Sequence, residues 1–158
     1  TAKKYIPILR QQADVVVVSY HGGFERNLMT GEPTEALTGE NEGYQLLQEV
    51  SGIDALFTGH QHRVIADIVN GVPVVQPGYR GNHIGEIQLT VEKIEGKVVV
   101  TDSQVRVHSL ENVAADPKIL AAVETAETDL EDWLDRTLGR VEGDMAINDP
   151  MEARANES

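Results

Sequence analysis

The chain has 158 residues, 41% hydrophobic and 25% charged, which fits one globular domain, or a domain with part of a second, and excludes a fibrous or low-complexity chain. Thirteen basic against 26 acidic side chains leave a net charge of −13; so acidic a surface repels phosphate backbones and excludes general binding to a nucleic-acid polymer, though not to a phosphorylated small molecule, because a local metal ion reverses the sign at a site. With no cysteine, disulfides and thiolate metal sites are excluded, and no run approaches the roughly 18 apolar residues of a membrane span, so no membrane insertion is expected. Opening on Thr1 with neither Met nor an apolar leader, the chain reads as a segment cut or processed from a longer one.

Residues 1–11 read as the end of a helix broken or kinked by Pro7. Asp14 to Tyr20 contains four consecutive valines, the pattern of a central parallel strand buried on both faces, and places His21 at its carboxyl end, where α/β sheets bind ligands. Residues 26–40 are polar, with Gly31, Pro33 and Gly39, and read as a surface loop. Tyr44, Leu46, Leu47 and Val50 predict a helix over 41–51, with Gly52 at C′. Ile53–Thr58 is the next strand and delivers His60 and His62 into the loop after it. Val64–Val69 and Val72–Val75 flank Asn70-Gly71, a strong hairpin signal. Ile84–Glu92 and Lys97–Val107 form a second antiparallel pair, turning at Glu95-Gly96. Parallel-type strands followed by hairpins predict a mixed sheet or two packed sheets.

Beyond Leu110 the pattern changes. Asp116-Pro117 is an N-cap followed by proline at the first helical position. Ile119, Leu120, Val123, Ala126, Leu130, Trp133, Leu134 and Leu138 recur at helical spacing, so a helix of about six turns is expected, closed by Gly139. Its acidic face, from Glu124 to Asp135, reads as solvated. Three regions follow: 1–110 as a catalytic-type portion, 111–139 as a linker helix, and 140–158 as the start of a further domain or a tail.

The chemistry concentrates in histidines. His60 and His62 stand one residue apart in a loop freed by Gly59, where their imidazoles can diverge toward two adjacent ions; neutral imidazole suits Zn, Mn and related metals. A bare His-x-His is more often a polar loop. His21 changes the balance: if its strand runs parallel to Ile53–Thr58, the imidazoles converge on one sheet edge. No nucleophile elbow, P-loop or dinucleotide fingerprint competes. Asp54 and Asp67 read as ordinary turn or edge residues, and Glu25 and Arg26 as part of the loop region after His21, Arg26 on the surface. His83 reads as packing at a strand start, and His108 has no visible partner.

Asp14-Val15-Val16-Val17-Val18 leading to His21-Gly22-Gly23, then Asn41-Glu42, Gly59-His60-Gln61-His62 and Gly71-Val72-Pro73-Val74-Val75-Gln76-Pro77-Gly78 resembles the calcineurin-like metallophosphoesterases of the 5′-nucleotidase group, most nearly the bacterial 2′,3′-cyclic-nucleotide 2′-phosphodiesterase/3′-nucleotidases. The resemblance implies an α/β (α+β-like) fold, the second half of a four-layer αββα sandwich with mixed sheets, followed by a long linker helix. It implies two divalent metal ions in the parent protein, Zn, Mn or similar, with His21 and His60 on one ion and His62 on the other, and Asn41 as a substrate-binding residue. It implies a nucleotide substrate, with 2′,3′-cyclic nucleotides opened to 3′-nucleotides and these hydrolysed to nucleosides; 5′-nucleotides or nucleotide sugars are the alternative within the family. Its members are commonly extracellular, in the cell wall or periplasmic. The family's Asp-x-His, Gly-Asp-x-x-(Asp/Asn) and Gly-Asn-His-(Glu/Asp) motifs are absent here; Gly81-Asn82-His83 matches the last in letters only, with Ile84 in place of the acid. The chain alone is therefore expected to be inactive, to bind at most one ion weakly, and to self-associate through exposed edges. The rival readings are a non-catalytic metal- or nucleotide-binding module and an interaction piece that uses the acidic helix.

Overall fold

The computed structural model describes residues 1–140, which form a mixed α/β arrangement in two compact units divided after Val113. In the first unit, helix α1 (Ala2–Leu9) precedes strand β1 (Val17–Tyr20), helix α2 (Gly43–Glu49) and strands β2 (Ala55–Thr58), β3 (Val64–Val69), β4 (Val72–Pro77), β5 (His83–Ile94) and β6 (Lys97–Ser109). One sheet has the order β1-β2-β4-β3. Its first three strands run parallel, and β3 returns antiparallel beside β4. The β3–β4 turn puts Asn70 and Gly71 at φ 50° and 78°, the doubly left-handed hairpin turn expected of Asn-Gly. Glu95 and Gly96, at 50° and 84°, make the same turn between β5 and β6. That ribbon alternates half-buried and exposed residues and packs against β3 and β4.

The core is built on β2 and β4. Leu56, Val74 and Val75 are fully buried, joined by Phe24, Ile6, Val16, Leu47, Ile53 and Ile65. The strands covered on both faces are therefore β2 and β4, whereas the valine run, read as a central strand, forms an edge. Only Val17–Tyr20 of that run pairs, it has a neighbour on one side among the described residues, and Val17 is exposed. A β-branched run reports strand propensity, not position within a sheet.

Pro7 does not break its helix; α1 runs through it to Leu9. Arg10 caps that end: Nε donates to the Gly52 carbonyl at 2.8 Å, and the guanidinium pairs with Asp54. Asp54 also accepts from the Val16 amide at 2.7 Å, so it ties α1, the approach to β1 and the approach to β2 together, a larger role than the turn position read from sequence. Gly52 takes φ 90°, but α2 ends at Glu49, two residues short of the expected bound, with its cap at Val50.

In the second unit, helix α3 (Pro117–Leu134) starts as expected: the Asp116 carboxylate accepts from the Lys118 and Ile119 amides. It caps at Asp135, a turn short of the expected Leu138–Gly139 end, although the apolar spacing continues to Leu138. None of its residues is buried within the described chain. Of the proposed 140–158 segment, all but Arg140 lies outside the described residues.

Candidate metal centre

The parallel pairing of β1 with β2 matches Tyr20 with Thr58, so both strands end level and release their chains on the same sheet edge. The ladder continues one step beyond them: the Gly59 amide donates to the Gly22 carbonyl at 3.1 Å. His21 and His60 then stand side by side, ring centroids 5.5 Å apart and planes at 69°, both exposed to solvent. His60 Nε2 lies 2.8 Å from Glu40 Oε1, on the loop that precedes α2. His62 goes elsewhere in its contacts, stacking on Tyr79 with centroids 5.0 Å apart and planes at 17°. The structure thus brings two of the three expected ligands together. Among the described residues no group of three or more His, Asp or Glu side chains is placed to hold one ion.

The backbone of the histidine loop is strained. His60 and His62 both occupy the left-handed region, at φ 66° and 57°, a conformation that costs a non-glycine residue about 1–2 kcal/mol. Gln76 offsets this from beneath. It is fully buried on β4, and its Nε2 donates to the Gly59 carbonyl at 2.9 Å and to Thr58 Oγ1 at 3.2 Å. Its Oε1 accepts from the Arg63 amide at 2.9 Å. One amide side chain therefore fixes the loop where it begins and where it ends.

The loop after β1 is held as closely. The Gly23 amide donates to Asn41 Oδ1 at 2.6 Å, and Asn41 Nδ2 donates to Glu35 at 2.8 Å. Asn41, expected to contact substrate, is buried with both ends of its amide committed to this scaffold. Glu25, read as part of the loop region after His21, is buried too: its carboxylate accepts from the Tyr44 and Gln45 amides at 3.0 and 2.8 Å, where its charge complements the start of α2. A Cβ at Gly22 would overlap the Tyr20 ring. That phenol accepts from the Glu42 amide at 3.2 Å and donates to the Glu40 carbonyl at 3.3 Å. Burial, against the opposing pull of the Glu42 amide bond, raises its pKa above the ordinary tyrosine value.

The remaining histidines lie on the ribbon. His108, read as unpartnered, sits 2.7 Å from Glu86 across the β5–β6 pair, a contact visible only once the register is known. His83 opens β5, as expected, and its buried Nδ1 has no hydrogen-bond partner among the described residues.

No protein-family model matches the chain. Over 136 residues it is 35% identical to the 2′,3′-cyclic-nucleotide 2′-phosphodiesterase/3′-nucleotidase of Salmonella typhimurium, a match covering 77% of this chain and 20% of that protein. A Staphylococcus aureus protein described as a 5′-nucleotidase, solved in complex with alpha-ketoglutarate, superposes with a TM-score of 0.70 at 40% identity, covering 96% of this chain and 29% of that one. The calcineurin-like phosphoesterase YfkN from Bacillus subtilis superposes with a TM-score of 0.71 at 26% identity, covering 85% and 44%. The chain spans 11% to 24% of the length of the curated relatives it matches. In sequence and in fold it is homologous to one stretch of the calcineurin-like phosphoesterases and 5′-nucleotidases, relatives named as hydrolases.

Proposed function

We propose that this chain supplies part of a dinuclear metal centre for hydrolysing nucleotide phosphate esters, with 2′,3′-cyclic nucleotides opened to 3′-nucleotides and these cleaved to nucleosides. The observation that carries the reading is the convergence of His21 and His60 at the level ends of two parallel strands. The donor set suits a borderline divalent ion such as Zn²⁺ or Mn²⁺. Glu40 on His60 Nε2 supplies the outer partner that metal-ligating histidines usually have, and leaves Nδ1 with the free lone pair. His21 and His60 take one ion and His62 the second. When bound, the ions polarise the phosphate and offset the charge that develops on it. Gln76 and the Asn41–Glu35 pair keep the two loops in register, and Asn41 retains a second amide N–H and a second Oδ1 lone pair with which to meet substrate.

Alanine at His60 or His62 in the full-length protein is expected to lower metal-dependent hydrolysis by more than about 100-fold. Unchanged rates in both variants would leave a non-catalytic binding module instead. The 40% identity to the Staphylococcus protein favours 5′-nucleotides as a second reading, and parallel assays on a 2′,3′-cyclic and a 5′-nucleotide decide between them. We extend the proposal to a place outside the cytoplasm, checked by cell fractionation; among the described residues no helix is long and apolar enough to cross a membrane.

A further inference from the structure

Between the two strained histidines lies Gln61, and its side chain does not face solvent as a loop glutamine would. Its Oε1 accepts from the Phe24 amide at 2.9 Å, and its Nε2 donates to the Phe24 carbonyl at 3.0 Å. This two-point bond treats Phe24 as a strand partner, although neither residue belongs to a strand. The same Nε2 donates to Glu35 at 3.0 Å, Glu35 accepts from Asn41, and Asn41 accepts from Gly23. The bonds therefore close a circuit, from Phe24 through Gln61, Glu35 and Asn41 back to Gly23, across the two loops that follow β1 and β2. Room for it is made by Gly23, where a Cβ would overlap the Gln61 amide.

We propose that Gln61 is a positioning residue that locks the His60–His62 loop to the His21 loop and thereby sets the spacing of the metal-binding imidazoles. The inference rests on the metal reading given above for its consequence, but not for the lock itself. Gln76 fixes the ends of the histidine loop to β4, and the bonds of Gly59 to Gly22 and of His60 to Glu40 hold its start against the loop after β1. Gln61 is at its tip, and its bonds to Phe24 add the two-point contact that ties that tip to the loop after β1. A glutamine suits this position because its amide presents a donor and an acceptor side by side, matching a backbone N–H and C=O on one residue.

The test uses Gln61→Met, which keeps the length of the side chain and removes its two bonds to Phe24 and the third to Glu35, with Gln61→Glu, which keeps only the acceptor, as a second variant should the first not fold. Mn²⁺ is titrated into metal-free full-length protein and followed by electron paramagnetic resonance, and exchange of the Phe24 amide is measured without metal. Gln61→Met is expected to weaken Mn²⁺ binding about 10- to 100-fold, to expose the Phe24 amide to exchange, and to leave the β2–β4 amides as protected as in the wild type. Wild-type Mn²⁺ affinity in a folded Gln61→Met protein would overturn the positioning role while leaving the metal reading intact. If the wild type itself binds neither Mn²⁺ nor Zn²⁺, the metal reading falls, and the lock is then decided by the Phe24 amide: unchanged protection in the variant overturns it.

Discussion

Gln76 shows how much one buried polar side chain can organise. It follows Val74 and Val75 on the most deeply covered strand, where an apolar residue would pack at lower desolvation cost, and it is tolerated because every polar atom it carries is bonded. Gln76→Leu would keep the volume and leave the Gly59 carbonyl and the Arg63 amide without their partner. Each unmade bond costs about 1–3 kcal/mol when the group is shut away from water, and both groups lie near the surface, so we expect a loss of about 2–4 kcal/mol in urea unfolding. A midpoint equal to the wild type would mean that water replaces the amide without cost. Glu25 follows the same logic with a charge. Its burial was not legible in the sequence, because a loop carboxylate looks solvated until the start of α2 is seen to lie against it.

At the scale of elements, the ribbon and the sheet meet through a glycine. A Cβ at Gly85 would stand 2.6 Å from Val75 Cγ2, and a β-branched valine fixed in a full core has little freedom to turn away. Gly85→Ala is therefore expected to destabilise the first unit by about 1–3 kcal/mol through overpacking, read as a lowered thermal midpoint; a stabilised variant would show that the ribbon slides to make room. Features of this kind also mark what the sequence could reveal. Asn70-Gly71, Asp116-Pro117 and the Gly-His-x-His loop were legible because turn, cap and loop chemistry are decided within a few residues. The edge position of β1 was not, because strand order depends on which distant segments pair. Nor was the end of α3: Leu138 continues the apolar spacing, but the helix caps at Asp135. The candidate site was half legible. The three histidines stood out by type and spacing, whereas Gln61 and Gln76 lay inside motifs already read for other residues and show their role only through bonds to groups 13 or more residues away.

At the scale of the whole chain, two consequences follow from what the described residues leave open. β1 presents an unpaired edge with Val17 exposed, beside a surface groove lined by Ala2, Ile6, Leu9, Tyr20, Leu46 and Val50. A free strand edge beside an apolar groove invites pairing, so sedimentation of the 158-residue chain should show concentration-dependent self-association; a single monomeric species at high concentration would contradict it, and the charge of −13 is the force that opposes it. The metal site gives the second consequence. His21 and His60 offer two imidazoles to one ion, His62 is stacked on Tyr79, and among the described residues Glu40 is the one carboxylate bonded to any of them. Two exposed neutral ligands complete half of a four-coordinate shell, and water must fill the rest, so binding is weak and a second ion has a single imidazole to hold it. Calorimetric titration of the isolated chain with Zn²⁺ or Mn²⁺ should therefore give no more than one weak site, abolished by His60→Ala, and assays on a 2′,3′-cyclic nucleotide should show no metal-dependent turnover. Two tight ions per chain, or turnover by the purified chain, would require ligands that the three histidines do not supply, and would move the search for the centre to acidic side chains now read as solvated.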